Sequence, residues 1–372
     1  MPKFLVVFAQ KHEDFRLPEF DSVLVMLGIT SPRACYDVAT YSVAHPFLEV
    51  ELPSCALAAR IVHRAILVKR VYELWTLASD PAGTPGAVMD SLVDGMRAIE
   101  TESGAFGALA TNESKSWALD VKAFGRKMSA KEQQALRMRF AFLPFAGRVQ
   151  LKGADHVWTL VLHVAKVVSA VVRPSECAPI AGYFCRLLGD GITDVDGARR
   201  IIDRHDLKKR AYLGPTSMDA ELSLVMANMG LVRAGTVCLD PYVGTGSLLV
   251  ACSQFGAFCM GSDIDHRVLR GKGEGRTMRD NFEQYSLPVP EIIRCDLSPV
   301  GAAGLRMWAP RRVDGSDGAA ESSRTPPTPL VDSIVCDPPY GIRAGARKSG
   351  SRRAHVHAVP AGPFFISFVC SF

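Results

Sequence analysis

Apolar and polar positions follow two rhythms along this chain. Residues 3–9 (KFLVVFA) are an almost unbroken apolar run bounded by polar residues, the pattern of a buried strand. Leu17-Pro18-Glu19-Phe20 opens a stretch with apolar residues at helical spacing through Leu27; its proline sits in the first turn, where the missing N–H costs nothing. Residues 46–52 predict a strand, 55–67 a helix with Arg60 and Arg64 off its apolar face, and 68–75 a strand. A helix over 85–99, a strand over 117–124 and a helix over 130–142 continue the mixture, so this half reads as α+β. Residues 159–172 are a β-branched apolar run in which periodicity does not separate strand from buried helix. Pro174 and Pro179, with polar residues between them, then mark a boundary.

The second half changes rhythm to short strands that end on acids. Val237-Cys238-Leu239 stops at Asp240, the chain turns through Gly244-Thr245-Gly246 into a helix over 248–255, and a second strand over 257–260 runs into Asp263 and Asp265. Strand, Gly-rich turn, helix, strand, with acids at the strand ends, is how a doubly wound sheet builds a nucleoside site. Leu249 stands where a dinucleotide fingerprint needs a third small residue, so a pyrophosphate cofactor is disfavoured. S-adenosylmethionine suits both acids: Asp240 for a cationic amino-acid end, Asp263 or Asp265 for ribose hydroxyls. Glycines 244 and 246 are expected to let the backbone pass close to it. Upstream, Thr216 or Ser217 is expected to cap a helix over 220–229.

A third strand over 292–296 ends on Asp296, and the strand pattern 331–336 runs into Asp337-Pro338-Pro339-Tyr340-Gly341. Two prolines fix φ twice and lack N–H groups, so their carbonyls project rigidly from the strand end. A carboxylate, a fixed carbonyl and an aromatic ring are the parts needed to hold a planar exocyclic amine and stack its ring.

Asp-Pro-Pro-Tyr on one strand, with Asp240-Pro241-Tyr242-Val243-Gly244-Thr245-Gly246 on another, resembles the amino-group methyltransferases of nucleic acids. Phe15-Arg16-Leu17-Pro18-Glu19, Phe142-Leu143-Pro144-Phe145, Lys208-Lys209-Arg210, the stretch 214–220 and the stretch 337–343 narrow the resemblance to the eukaryotic tRNA guanine-10 N2-methyltransferases. That resemblance implies an α/β Rossmann-like methyltransferase domain preceded by an α+β THUMP-like RNA-binding domain. Its implied boundaries are 1–175 for the N-terminal region, 176–205 for a linker and 206–372 for the methyltransferase domain, with a low-complexity insertion over 299–329. It implies methyl transfer from S-adenosylmethionine to the N2 amine of guanine 10 in tRNA, and a small zinc-binding activator subunit as partner. Asp337, Pro338, Pro339 and Tyr340 are the expected catalytic residues. Thr216, Ser217, Asp219, Asp240, Gly244, Gly246, Asp263, Asp265 and Asp296 are the expected cofactor ligands. An inactive tRNA-binding protein and an adenine amino-methyltransferase are the alternatives.

Composition narrows the setting. Forty-three Lys and Arg against 38 Asp and Glu give a net charge of +5, which permits an RNA partner without requiring one. Arg137 and Arg139 on the helix over 130–142, and Arg343 and Arg347 after the proline pair, are the expected RNA contacts. The ten cysteines contain no C-x-x-C pair and several lie in apolar runs, so no metal site is expected and a reducing, cytoplasmic compartment is. No apolar span of membrane-crossing length and no secretory leader pattern is present in the sequence. A seven-stranded methyltransferase sheet needs on the order of 80 residues after its fourth strand. The stretch after Gly341 is expected to supply at most one strand, so an incomplete, C-terminally truncated sheet is expected.

Overall fold

The structure, a computed structural model, describes residues 1–103, 113–164, 178–215, 217–271, 275–295, 330–338 and 369–371. It divides into two compact units, 1–16 with 27–199, and 17–26 with 200–372.

The first unit is built on a six-stranded sheet in the order β2-β1-β3-β6-β5-β4. Its strands are β1 (Lys3–Phe8), β2 (Phe47–Glu51), β3 (Val68–Ser79), β4 (Trp117–Phe124), β5 (His156–Val164) and β6 (Pro179–Asp190). All neighbours are antiparallel except β4 and β5, which run parallel from Trp117↔His156 to Phe124↔His163. The strand assignment left open for 159–172 resolves to β5 as far as Val164. Alternation sends Leu119, Val121, Trp158, Leu160, Leu162 and Phe184 to one face, where helix α3 (Ala87–Ser103) and helix α4 (Ala130–Met138) cover them. Leu5, Phe47, Tyr72, Val161, Tyr183 and Cys185 fill the other face. There the rings of Phe47 and Phe124, from the two edge strands, meet edge-on at 5.7 Å, so the sheet curls strongly enough to close over its own side chains. Helix α2 (Cys55–Ile61), N-capped by Ser54, packs on β3 and β6.

One boundary differs from expectation. Much of the expected linker, 176–205, is strand β6, central in the sheet between β3 and β5. Pro179 stands at the first position of the strand, where no ladder N–H is needed and proline is compatible.

The second unit takes in most of helix α1 (Arg16–Met26) and carries α5 (Arg200–Arg204) and α6 (Ala220–Met229). Its sheet has the order β11-β10-β7-β8-β9, with β7 (Val237–Asp240), β8 (Phe258–Asp263), β9 (Glu291–Arg294), β10 (Ser333–Val335) and β11 (Val369–Ser371). The first four run parallel, and β11 joins β10 antiparallel. Helix α7 (Ser247–Gln254) links β7 to β8; α8 (His266–Arg270) and α9 (Met278–Gln284) lie between β8 and β9. β8 and β9 extend the sheet to one side of β7 while β10 lies on the other, so the winding reverses between β7 and β10. In parallel sheets the crevice at such a reversal, outside the carboxyl ends of the strands, is where ligands bind. The expected insertion, 299–329, lies outside the described residues.

Candidate functional site

β7 and β10 are paired in register, Ser333↔Cys238 and Ile334↔Leu239, and both run toward the crevice. The Asp240 turn and the Asp337-Pro338 turn therefore leave the same edge of the sheet from neighbouring strands. The carboxyl of Asp240 is buried, and its Oδ1 accepts from Tyr242 N at 2.9 Å. Burial above all, with the charges of Asp263 and Asp337 adding to it, pushes its pKa up to about 7. Burial also raises the Asp337 carboxyl above its ordinary range. Three acids from β7, β8 and β10 thus converge on one crevice.

Among the described residues, the remaining expected ligands are placed as follows. Asp263 accepts from Gly244 N at 3.0 Å through Oδ2 and from Asp265 N at 2.8 Å through Oδ1, which orients its carboxylate at the Gly turn and leaves lone pairs over. Asp265 differs from expectation: it caps α8 and holds the guanidinium of Arg267 through both oxygens, at 3.0 and 2.8 Å, so its carboxylate is committed within the chain. Asp219, rather than Thr216 or Ser217, is the N-cap of α6, its Oδ1 accepting from Leu222 N. Ser217 Oγ accepts from Gly214 N and meets Thr245 Oγ1 at 2.9 Å, which ties the 214–219 segment to the Gly turn.

The two glycines of that turn serve different ends. Gly244 has φ of 51°, and a Cβ there would find only Tyr242 O within 4 Å, at 3.9 Å, so the backbone is approachable. Gly246, with φ of 82°, would drive a Cβ to 2.7 Å from Met278 Cγ; its missing side chain makes room for α9 rather than for a ligand. Gly246 is also the N-cap of α7 and offers no side-chain cap to its first N–H groups. Thr216, Asp296, Pro339 and Tyr340 lie outside the described residues.

The expected RNA contacts fare differently. Arg137 donates from Nε to Leu119 O at 2.8 Å and from Nη2 to Gln133 Oε1 at 3.3 Å, anchoring α4 to β4. Arg139 pairs with Asp90 of α3. Both guanidiniums are engaged within their own unit, Arg137 by a strand carbonyl and Arg139 by an exposed carboxylate. Arg343 and Arg347 lie outside the described residues.

Two residues at the site escaped sequence reasoning. Asn281 of α9 is fully buried and hydrogen-bonds to the backbone of both Tyr212 and Thr245. Arg210, also buried, donates to Ser247 Oγ at 2.8 Å at the start of α7. A polar residue on the apolar stripe Met278, Asn281, Phe282 was the available signal for the first.

Among known proteins, residues 2–192 match the Tmrp11 THUMP N-terminal domain. Human tRNA (guanine(10)-N(2))-methyltransferase TRMT11 is 31% identical over 356 residues, covering 94% of this chain and 68% of that protein. The chain belongs to the TRMT11 family. A second member of the tRNA (guanine(10)-N(2))-methyltransferases, from Schizosaccharomyces pombe, is 33% identical over 304 residues, covering 82% of this chain and 54% of its own. Among solved structures, TrmN from Thermus thermophilus aligns over 92% of this chain and 81% of its own, with a TM-score of 0.41 and 14% identity. By the family model over residues 2–192, the relatives' identity and the parallel sheet of the second unit, the TRMT11-family chain combines a THUMP-containing unit with a Rossmann-like α/β methyltransferase unit. Among the described residues no helix is long and apolar enough to cross a membrane, and no cluster of His, Cys, Asp and Glu could hold a metal.

Proposed function

We propose that the chain transfers a methyl group from S-adenosylmethionine to the exocyclic N2 amine of guanine 10 in tRNA. The observation that carries this reading is the juxtaposition of the Asp240 turn and the Asp337-Pro338 turn on adjacent parallel strands. When bound, S-adenosylmethionine supplies an electrophilic methyl on a sulfonium. The crevice suits it: an approachable backbone at Gly244, uncapped N–H groups at α7, an oriented carboxylate at Asp263 and a buried acid at Asp240 that gains from a nearby cation. Ser217 and Asp219 flank it from the 214–219 segment, and Thr216 and Asp296 complete the proposed ligand set.

The amine of guanine is a poor nucleophile because its lone pair is delocalised into the ring. Asp337 and the Pro338 carbonyl are proposed to accept its two N–H groups, which favours a pyramidal nitrogen and turns the lone pair toward the methyl. Pro339 stiffens the turn, and Tyr340 stacks on the base once it has left its helix. Orientation and stabilisation of developing charge are the catalytic levers, with no covalent intermediate.

The N-terminal region, 1–175 together with β6, supplies RNA affinity, and 206–372 supplies the chemistry, with Arg343 and Arg347 holding the RNA backbone. A small zinc-binding activator subunit is the proposed partner. Free cysteines, including buried Cys238, Cys252 and Cys259, support a reducing, cytoplasmic setting.

The test is methyl incorporation from labelled S-adenosylmethionine by the full chain with its activator, comparing a tRNA carrying guanine 10 with one carrying adenosine there. Label in the first alone is expected. Equal incorporation into both, or none into either, would sink the reading.

A further inference from the structure

Helix α9 touches the Gly turn through more than apolar packing. Asn281 is 0% exposed, and its amide offers two N–H donors and a carbonyl acceptor. Nδ2 donates to Tyr212 O at 2.9 Å and to Thr245 O at 3.2 Å, while Oδ1 accepts from Tyr212 N at 2.8 Å. Both donors and the acceptor are used, and every partner is backbone. Tyr212 is held at its own N–H and C=O, as a neighbouring strand would hold it.

What Asn281 joins is informative. Beyond Tyr212 the chain enters the 214–219 segment, whose Ser217 hydrogen-bonds directly to Thr245. Thr245 sits between the two glycines of the turn. One side chain therefore fixes the relative position of two walls of the cofactor crevice while itself lying beneath them. Gln284, three residues further along α9, grips the same incoming chain, donating to Lys209 O at 2.6 Å and accepting from Ala211 N at 2.9 Å. Its hydrogen bonds go to the 209–211 backbone and not to the Gly turn.

We propose that Asn281 is a positioning residue for the cofactor, setting the spacing between the 214–219 segment and the Gly turn and through it the affinity for S-adenosylmethionine. This rests on the reading of the crevice as the S-adenosylmethionine site. An apolar residue at 281 would strand three backbone groups in the interior, and the chain would part from the turn to rehydrate them. Gln284 is the internal control, because it anchors the chain leading into that segment, at 209–211, without spanning to Thr245.

The experiment is calorimetric titration of S-adenosylhomocysteine, and separately of a tRNA transcript, into the full chain and its Asn281→Asp, Asn281→Ala and Gln284→Ala variants, with melting temperatures taken in parallel. Asn281→Asp keeps the volume and loses donors; it is expected to weaken S-adenosylhomocysteine about tenfold, with tRNA affinity unchanged within about twofold. Gln284→Ala is expected to change S-adenosylhomocysteine affinity by less than about threefold even where its melting temperature falls. Should Asn281→Ala fail to fold, the isosteric Asp variant decides. Wild-type affinity in Asn281→Asp, parallel losses of both ligands, or an equal loss in Gln284→Ala would each overturn the proposal. A wild-type chain that binds no S-adenosylhomocysteine would instead remove the reading of the crevice on which it rests.

Discussion

In the N-terminal sheet charged side chains find partners inside their own unit, whereas at the carboxyl ends of β7, β8 and β10 three acids meet with no cation paired to them among the described residues. Arg70 holds Asp190 at 2.6 Å, Arg186 holds Glu73 at 2.8 Å, and Lys115 holds Asp155 at 2.9 Å in the first unit. Asp240, Asp263 and Asp337 are left to backbone N–H groups, burial and one another. The first arrangement makes a scaffold whose electrostatics are settled on folding. The second leaves free energy to be recovered when a cationic ligand arrives. Strand length follows the same division: β3 and β6 have 12 residues each, while β7 has four and β10 three, long enough only to deliver an acid to the crevice.

The sharpest test of this contrast is at Asp337. Asp337→Ala removes the acceptor for the amine N–H and is expected to lower methyl transfer by about a hundred- to a thousandfold, the scale of losing one preorganised charge-stabilising group. Binding of S-adenosylhomocysteine and of tRNA, followed by calorimetry, should stay close to wild type. Retained turnover would show that the proline turn is architecture and not chemistry.

Asp240 gives the next largest effect, and its sign is fixed by linkage. Its carboxyl titrates near 7 in the folded chain against an ordinary 3.8, so the folded state holds a proton that the unfolded state has lost across that interval. Stability of the second unit therefore falls as pH rises from about 4 to about 7, by on the order of 4 kcal/mol in all. A cationic ligand draws the carboxyl back to its ionised form, so S-adenosylmethionine should bind roughly tenfold tighter at pH 8 than at pH 6 and level off above. Asp240→Asn is expected to flatten both profiles. An unchanged pH dependence of the dissociation constant in that variant would place the titrating group elsewhere.

Much of the second unit was legible because its signals are local. The acids at strand ends, the Gly-rich turn and the proline pair are short patterns whose meaning depends on one strand and its loop, and the pairing of β7 with β10 brings them together. Asn281 was not legible, since its role depends on Tyr212 and Thr245, 69 and 36 positions away in sequence. The arginines of α4 show the same limit from the other side. Charge is visible in a sequence, but whether a guanidinium reaches solvent or a carbonyl such as Leu119 O depends on packing. β6 was hidden by Pro179 at its first residue, and a proline at a strand start reads from sequence like a proline in a linker.

Arg137 turns that limit into a prediction. Arg137→Ala strands Leu119 O, which this guanidinium serves at 2.8 Å, and should cost the first unit about 1–3 kcal/mol, read as a lower urea midpoint at unchanged slope. The slope of log tRNA affinity against log salt should stay the same, because a residue that neutralises a phosphate would lower it by roughly one unit. A reduced salt slope with normal stability would return Arg137 to the RNA surface and weaken the picture of a scaffold with settled charges.

The smallest effect concerns His163, and it runs opposite in sign to Asp240. Burial first, and then the neighbouring His45, pushes the His163 imidazole down to about 4 from an ordinary 6.5. The two rings lie 5.2 Å apart in an edge-on arrangement within the aromatic group that includes Phe47 and Phe124. The folded state thus binds fewer protons than the unfolded state between those values, so this contribution is complete above pH 6.5 and is lost as pH falls toward 4. The ring is only partly buried, so the urea midpoint should drop by only a few tenths of a molar between pH 7 and pH 5, and His163→Phe should remove that drop. Three of the four tryptophans, Trp75, Trp117 and Trp158, belong to the first unit, so fluorescence in a Trp308→Phe background is the natural probe. Acidification through one interval should therefore loosen the first unit while tightening the second, and two transitions that shift together with pH would mean that the units do not carry separate electrostatic designs.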